Sequence, residues 1–452
     1  MKIILILLVF LFIIPFSNAF SFFSFLDPNF ELGCVGENYV FRCGEQINES
    51  CSLTGNMQVD YGCFDVIDQN NLTIDGLGHK LYGRTSGMSS EYGFKIINSK
   101  NITIKNFKID LLGRGIDVVL SENLDLYNNR ITRFIKQGVM LRSNSIDTWV
   151  AYNEFEDDFT DEIFDSAAVW VMEGSNHNTI QNNKIIMANI GLSVYPTGIW
   201  IDHSNNLKIN NNNIYSPVSA AALRVYSSFS TEIKNNTIHD NTFFLLDSLN
   251  SSVISENSFL DFHIPGFGAM EIGGAIFSKF NDNNISSSGE GIGFSLYPPF
   301  ESQESSHDNA FFNNRLEGLD KAVLFTNLDF VENNSFYNNL FNTTNDVDTI
   351  PYPPYLNPND WNVTKQLGKN ILGGRFIGGN VWAHPEGQGF SDTCLDNGGD
   401  GICDEAFIID EYNIDYLPLA IFSENVEVDS KPWYKQIFDI FFDIISKGIF
   451  DI

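Results

Sequence analysis

Nine windows of this chain share two fixed columns, and that constrains the fold more than any other feature. With the last apolar residue of each window as anchor, the anchors are Ile131, Phe155, Ile185, Ile214, Ile238, Phe259, Ile285, Leu316 and Phe336. Two positions earlier stand Asn129, Asn153, Asn183, Asn212, Asn236, Asn257, Asn283, Asn314 and Asn334. Five positions earlier stand Leu126, Val150, Ile180, Ile209, Ile233, Ile254, Phe280, Phe311 and Val331. The anchors recur every 20 to 31 residues, enough for one coil of three short strands. Stacked in parallel, equivalent residues lie ~4.8 Å apart, so an apolar column points into a shared core. An Asn column fits a tight bend, because Asn tolerates left-handed backbone and its amide can bond the next coil. The Asn-rich, β-branched, alternating composition argues against helical solenoids of similar period. The fold expected is all-β: a single-stranded right-handed parallel β-helix of about 11–12 coils.

The pattern resembles the pectate-lyase-like superfold. Within it, the chain resembles repeat proteins similar to the nitrous-oxide-reductase accessory (NosD-like) family and to carbohydrate-binding and sugar-hydrolysis β-helix repeats. The opening coil, Leu72-Thr73-Ile74-Asp75-Gly76-Leu77-Gly78-His79-Lys80-Leu81, is similar to the entry coil of that group. The resemblance covers roughly residues 60–345 and implies a fold rather than an activity.

The chain divides accordingly. Residues 1–19 read as a signal peptide, with Lys2, an apolar stretch and Ser17-Asn18-Ala19 as the cleavage site. Residues 20–63 form a cap holding Cys34, Cys43, Cys51 and Cys63, whose three possible pairings stay open. Coils occupy 64–345, and a Pro-, Gly- and Asp-rich segment follows at 346–430. A short amphipathic helix is expected at 431–452, with Lys435, Asp439, Asp443 and Lys447 on one face. Its use as a cap is favoured over membrane contact through 433–452, because the polar face is not basic. Export permits disulfides, and Cys394 with Cys403 is expected to form one. The expected location is secreted or at the cell surface. The net charge of −31, from 57 acidic and 26 basic residues, speaks against nucleic acid and anionic membranes. It also disfavours polyanionic glycans.

A second strand precedes each Asn, with inward residues Val118, Leu141, Val171, Ile201, Val225, Leu246 and Ile272. Alternation then places Asp117, Met140, Trp170, Trp200, Arg224, Leu245 and Glu271 in one outward line. A neighbouring line holds Val119, Arg142, Met172, Asp202, Tyr226, Asp247 and Gly273. The connections 156–168 and 186–197 stand ready as walls. Indoles beside carboxylates and guanidinium groups suit a polysaccharide or glycan, with flat rings covering pyranose C–H faces. The candidate ligand set is Trp170, Trp200, Arg142, Arg224 and Tyr226. The function read here is glycan binding or scaffolding. The alternatives are a glycoside hydrolase or lyase using Asp202 with Asp247 or Glu271, and a purely structural surface component. Asp202 and Asp247 would stand two coils apart, ~9.6 Å between backbones.

Copper, which the family name suggests, is not expected. The seven histidines fall at different coil positions, and copper needs clustered His, Met or Cys. Calcium is better motivated: Asp392, Asp396, Asn397, Asp400, Asp404 and Glu405 crowd among glycines in a stretch closed by Cys394 and Cys403. That stretch resembles the Asp-Gly-Asp-Gly segments ending many archaeal β-helix surface proteins. The run Glu154 to Asp165 is a second acidic candidate.

Overall fold

The computed structural model describes residues 32–84, 91–157, 166–187, 196–299, 305–326, 331–350 and 357–421. The expected signal peptide and the helix at 431–452 lie outside the described residues. The chain forms a right-handed parallel β-helix with three faces. The first face is a 14-stranded sheet: two antiparallel cap strands, Cys34–Val35 and Val40–Phe41, then twelve strands from Cys51–Leu53 to Ser335–Tyr337. The second and third faces merge into one 24-stranded sheet, because Asn213–Phe229 and Thr237–Asn250 run continuously around the corner. Parallel pairing continues past residue 345: Leu340–Asn342 pairs with Val381–Ala383.

The inside is apolar on every rung. Leu126, Val150, Ile180, Ile209, Ile233 and Ile254 are all buried. Towards the C-terminal end the column turns aromatic. Phe280, Phe311, Phe336 and Trp361 stack with centroids 4.6, 4.5 and 4.5 Å apart, and Trp382 stacks in turn on Phe407 at 4.4 Å. Rings stacked at the rung spacing keep aromatic contact from coil to coil. At the other end Cys34–Cys51 and Cys43–Cys63 tie the antiparallel cap over the first coil, and Cys394–Cys403 closes the late loop.

Asparagines form a continuous buried line. From Asn129 through Asn153, Asn183, Asn212, Asn236, Asn257, Asn283 and Asn314, each Oδ1 accepts the backbone N–H of the preceding member at 2.9–3.1 Å. The same Oδ1 accepts the preceding side-chain amide at 2.9–3.2 Å. Each Nδ2 donates to a carbonyl of the first face, as Asn153 does to Leu126 at 2.8 Å. Three points correct the sequence reading. After Asn314 the line continues to Asn339 and Asn380, not to Asn334. Phe336 pairs with Phe311, so it belongs to the first-face column, and Phe341 is the true anchor opposite Leu316. The left-handed backbone also falls one residue earlier, at Asn128, Asn182, Asn211 and Asn235, with φ between 53° and 57°. The bend and the ladder bond are thus split between adjacent residues.

A second ladder runs along the turn before the first face. Ser99, Ser121, Ser145 and Ser175 link N–H to hydroxyl, and farther on Ser252 donates to the Ser278 hydroxyl, after which Ser278, Asn309 and Asn334 donate to the Oδ1 of Asn309, Asn334 and Asn359. Asn334 finds its place there.

Candidate functional site

The third face carries six-residue strands whose side chains alternate inward and outward. Pairing places Asp117, Met140, Trp170, Trp200, Arg224, Leu245 and Glu271 on successive rungs of one line. Met172, Asp202, Tyr226, Asp247 and Gly273 form the neighbouring line. The in-register strands Ala167–Met172 and Thr197–Asp202 bring the two tryptophans together. Most of the proposed wall residues, 158–165 and 188–195, lie outside the described residues.

Trp170 and Trp200 stack at 4.4 Å with an 11° interplanar angle. The Arg224 guanidinium covers the Trp200 ring at 4.6 Å, and Tyr226 meets that ring edge-on at 6.4 Å. This differs from the expected flat sugar platform: the two indoles turn one face to each other, and Arg224 lies over the Trp200 ring. Both rings are half-buried, and their Nε1 atoms are buried without a hydrogen-bond partner. Arg224 is 7% exposed, and its Nε is likewise buried and unpartnered. Three unspent donors therefore occupy three successive rungs. A buried donor left unpaired costs about 1–3 kcal/mol.

The other candidate residues are engaged differently. Arg142 turns away from the tryptophans and bonds Asp117, Nε to Oδ1 at 3.0 Å and Nη2 to Oδ2 at 3.2 Å. Asp202 Oδ1 lies 2.6 Å from Nδ1 of His203. Asp247 is fully buried and accepts the Ser248 hydroxyl at 2.7 Å. Glu271 accepts the Gly268 N–H at 2.5 Å, and burial holds its carboxyl above the ordinary range despite that bond and one from Ser295. Tyr297 lies over Gly273, where a Cβ would fall 2.7 Å from Cε2 of the ring. Burial, then Asp247 and Glu271, push the Tyr297 hydroxyl far above its usual value. Asp202 and Asp247 stand two rungs apart with Tyr226 between them. Sequence alternation alone located these rungs. Tyr297 is the addition to them: it pairs with Gly273, one rung beyond the sequence-derived line.

In the acidic loop the carboxylates are bonded to backbone amides and to a lysine. Asp392 Oδ2 accepts the N–H groups of His384 and Gly389 at 2.9 and 2.8 Å. Asp396 accepts those of Asp400 and Gly401, Asp404 holds Asn397, and Asp400 pairs with Lys365. Among the described residues no three His, Cys, Asp or Glu side chains converge to hold a metal ion.

The fold and its laddered face define a parallel β-helix repeat protein. A family profile described as "Periplasmic copper-binding protein (NosD)" matches residues 48–264 and 193–387, and the chain belongs to that family. No curated protein matches. Among solved structures, the chain is similar to a GH87 alpha-1,3-glucanase catalytic domain in complex with tetrasaccharides, at 14% identity and TM-score 0.45. That match covers 68% of this chain and 64% of the other, so this chain spans under two thirds of that domain. It is similar to the surface protein and adhesin PfbA of Streptococcus pneumoniae at 12% identity and TM-score 0.44, covering 67% and 89%. A mannuronic acid specific polysaccharide family 6 lyase from human gut microbiota matches at 13% identity and TM-score 0.37, covering 66% and 79%. The activities named belong to those proteins.

The family description names copper, and the described residues do not fit it. Of the histidines, His203 and His307 lie against Asp202 and Asp308, and His263 against the carbonyl of Asp261. Among the described residues no three His, Cys, Asp or Glu side chains converge on one site, whereas copper needs clustered ligands.

Proposed function

We propose that this protein is exported and binds a polysaccharide or glycan lengthwise along the third face, over Trp170, Trp200, Arg224 and Tyr226. The observation that carries the reading is the column of three buried, unpartnered donors: Trp170 Nε1, Trp200 Nε1 and Arg224 Nε. An extended sugar chain offers oxygen acceptors at regular intervals, and rungs ~4.8 Å apart present donors at regular intervals. Filling each donor recovers the cost of leaving it dry. Asp202 with His203 and the Tyr226 hydroxyl add polar groups on the adjacent line. Three disulfides suit an oxidising compartment. Among the described residues no helix is long and apolar enough to cross a membrane.

A glycan array read with the wild type, Trp170→Phe/Trp200→Phe and Trp170→Ala/Trp200→Ala tests this. The Phe pair keeps a ring stack and deletes both N–H groups. Binding that weakens at least tenfold in both pairs supports the reading. Binding unchanged in the Ala pair removes the site, and an array with no binder favours a purely structural surface component.

One observation favours a hydrolytic second reading. Glu271, kept protonated more readily by burial, lies on the rung after Leu245 and diagonal to the buried Asp247. A carboxylic acid beside a second carboxyl is the arrangement of glycoside hydrolysis. Product release from the bound glycan that disappears in Glu271→Gln, with binding retained, would establish it. Turnover indifferent to Glu271→Gln, Asp247→Asn and Asp202→Asn would dismiss it.

A further inference from the structure

The donor column contains a charge as well as dipoles. Arg224 is more than nine-tenths buried, its Nε has no hydrogen-bond partner, and among the described residues no carboxylate forms an ion pair with it. The other arginines on this face behave otherwise: Arg142 is bonded twice by Asp117, and Arg114 gives its Nε to Gln137. The carboxylates on the line beside Arg224 are turned elsewhere, Asp202 to His203 and Asp247 to Ser248. A guanidinium whose Nε is buried without an acceptor, with no carboxylate beside it, is completed most favourably by an anionic ligand. The two indole N–H groups on the rungs before it add neutral donors, and among the described residues no acceptor answers any of the three.

We propose that this subsite takes the anionic substituent of an acidic sugar, a carboxylate or a sulfate ester, on Arg224, with the Trp200 and Trp170 N–H groups bonding the same or the adjoining residue. The inference rests on the glycan reading and narrows its ligand. The surroundings limit the charge to one position. Glu271 stands two rungs beyond Arg224, Asp202 and Asp247 flank it, and the chain carries −31 overall. A polymer charged at every residue would be repelled on both sides of the guanidinium, whereas one acidic residue within a neutral glycan would not. The subsite thus selects for isolated rather than repeated charge.

The test uses the full chain with glucose, glucuronate and glucose 6-sulfate, titrated by calorimetry and ligand-observed NMR at two ionic strengths. At least one acidic sugar is expected to bind ten-fold or more tighter than glucose, and whichever arm does so identifies the anion. That advantage should be lost in Arg224→Gln, in which the acidic sugars bind no tighter than glucose binds to the same variant. Should Arg224→Gln fail to fold, the wild-type protein still decides, because the acidic sugar's advantage over glucose must shrink as salt rises. Equal affinity for all three sugars overturns the inference and leaves the glycan reading standing. Loss of glucose binding in the Trp170→Phe/Trp200→Phe pair, with the acidic advantage intact in Arg224→Gln, also overturns it.

Discussion

Asp415 takes the place of an asparagine at the far end of the ladder: its Oδ2 accepts the backbone N–H of Asn380 at 2.8 Å, the position Asn side chains fill on the rungs before it. The same oxygen accepts the Trp382 indole N–H at 2.9 Å, and Oδ1 accepts the Leu417 N–H at 3.0 Å. Gly379 lacks a side chain where any Cβ would run into this carboxyl. A carboxylate does here what a neutral amide does elsewhere, and burial raises its pKa to about 6 against the bonds that oppose the shift.

The sign of the consequence follows from linkage. Below pH ~4 Asp415 is protonated in both folded and unfolded chains and contributes nothing to the pH dependence. As pH rises from ~4 to ~6 the unfolded chain ionises first, and stability falls by about 3 kcal/mol, a loss that persists at neutral pH. Asp415→Asn is expected to remove that slope. It should stabilise the protein at pH 7 by up to ~2 kcal/mol after losing the bond to Leu417. Denaturant melts at pH 4.5 and 7 measure it; parallel pH dependences in both proteins would show the wrong group was chosen.

Asn211 and Asn212 are neighbours with different tasks. Asn211 has φ 57°, whereas Asn212 supplies the buried amide. Asn211→Gly should be within ~0.5 kcal/mol of wild type, and Asn211→Ala should cost about 1 kcal/mol. Asn212→Ala leaves the Asn183 donors and the Ile180 carbonyl unpaired in the core, and should cost about 3 kcal/mol or more. Chemical denaturation of the three variants checks the order.

Asp110 carries the opposite pH dependence. Burial raises its pKa, but bonds from Arg133, Lys80 and Thr132 outweigh that and bring it down to about 2. Because the folded value lies below the unfolded one, its contribution of ~2 kcal/mol is complete above pH ~4 and is lost between pH ~4 and ~2. Asp110→Asn is expected to lower stability at pH 7 by about that amount and to flatten this part of the acid limb. An acid titration of stability, wild type against variant, reads both effects.

The architecture was legible because a parallel coil repeats its chemistry at every rung. Period-two alternation then set Trp170, Trp200, Arg224, Asp202, Tyr226 and Asp247 on their lines without any coordinates. The ninth unit slipped because Asn334-Ser335-Phe336 and Asn339-Leu340-Phe341 both satisfy the pattern, and only pairing with Phe311 separates them. The serine ladder escaped notice because hydroxyl and amide side chains make the same bond, so no single letter marks the column. The site's polarity was least readable. Backbone register places a tryptophan on a rung, but rotamers decide whether it offers a face or an N–H, and neighbouring strands decide that Asp247 is wholly buried.

The central claim is that the indole N–H groups of Trp170 and Trp200 are donors awaiting a glycan oxygen. Nitrogen-15 correlation spectra of the indole region, recorded while the best array ligand is titrated in and assigned with the single Trp→Phe variants, address it directly. Both Nε1–H resonances should move downfield and gain protection from exchange together with binding. Saturable binding that leaves the two resonances unmoved would contradict it.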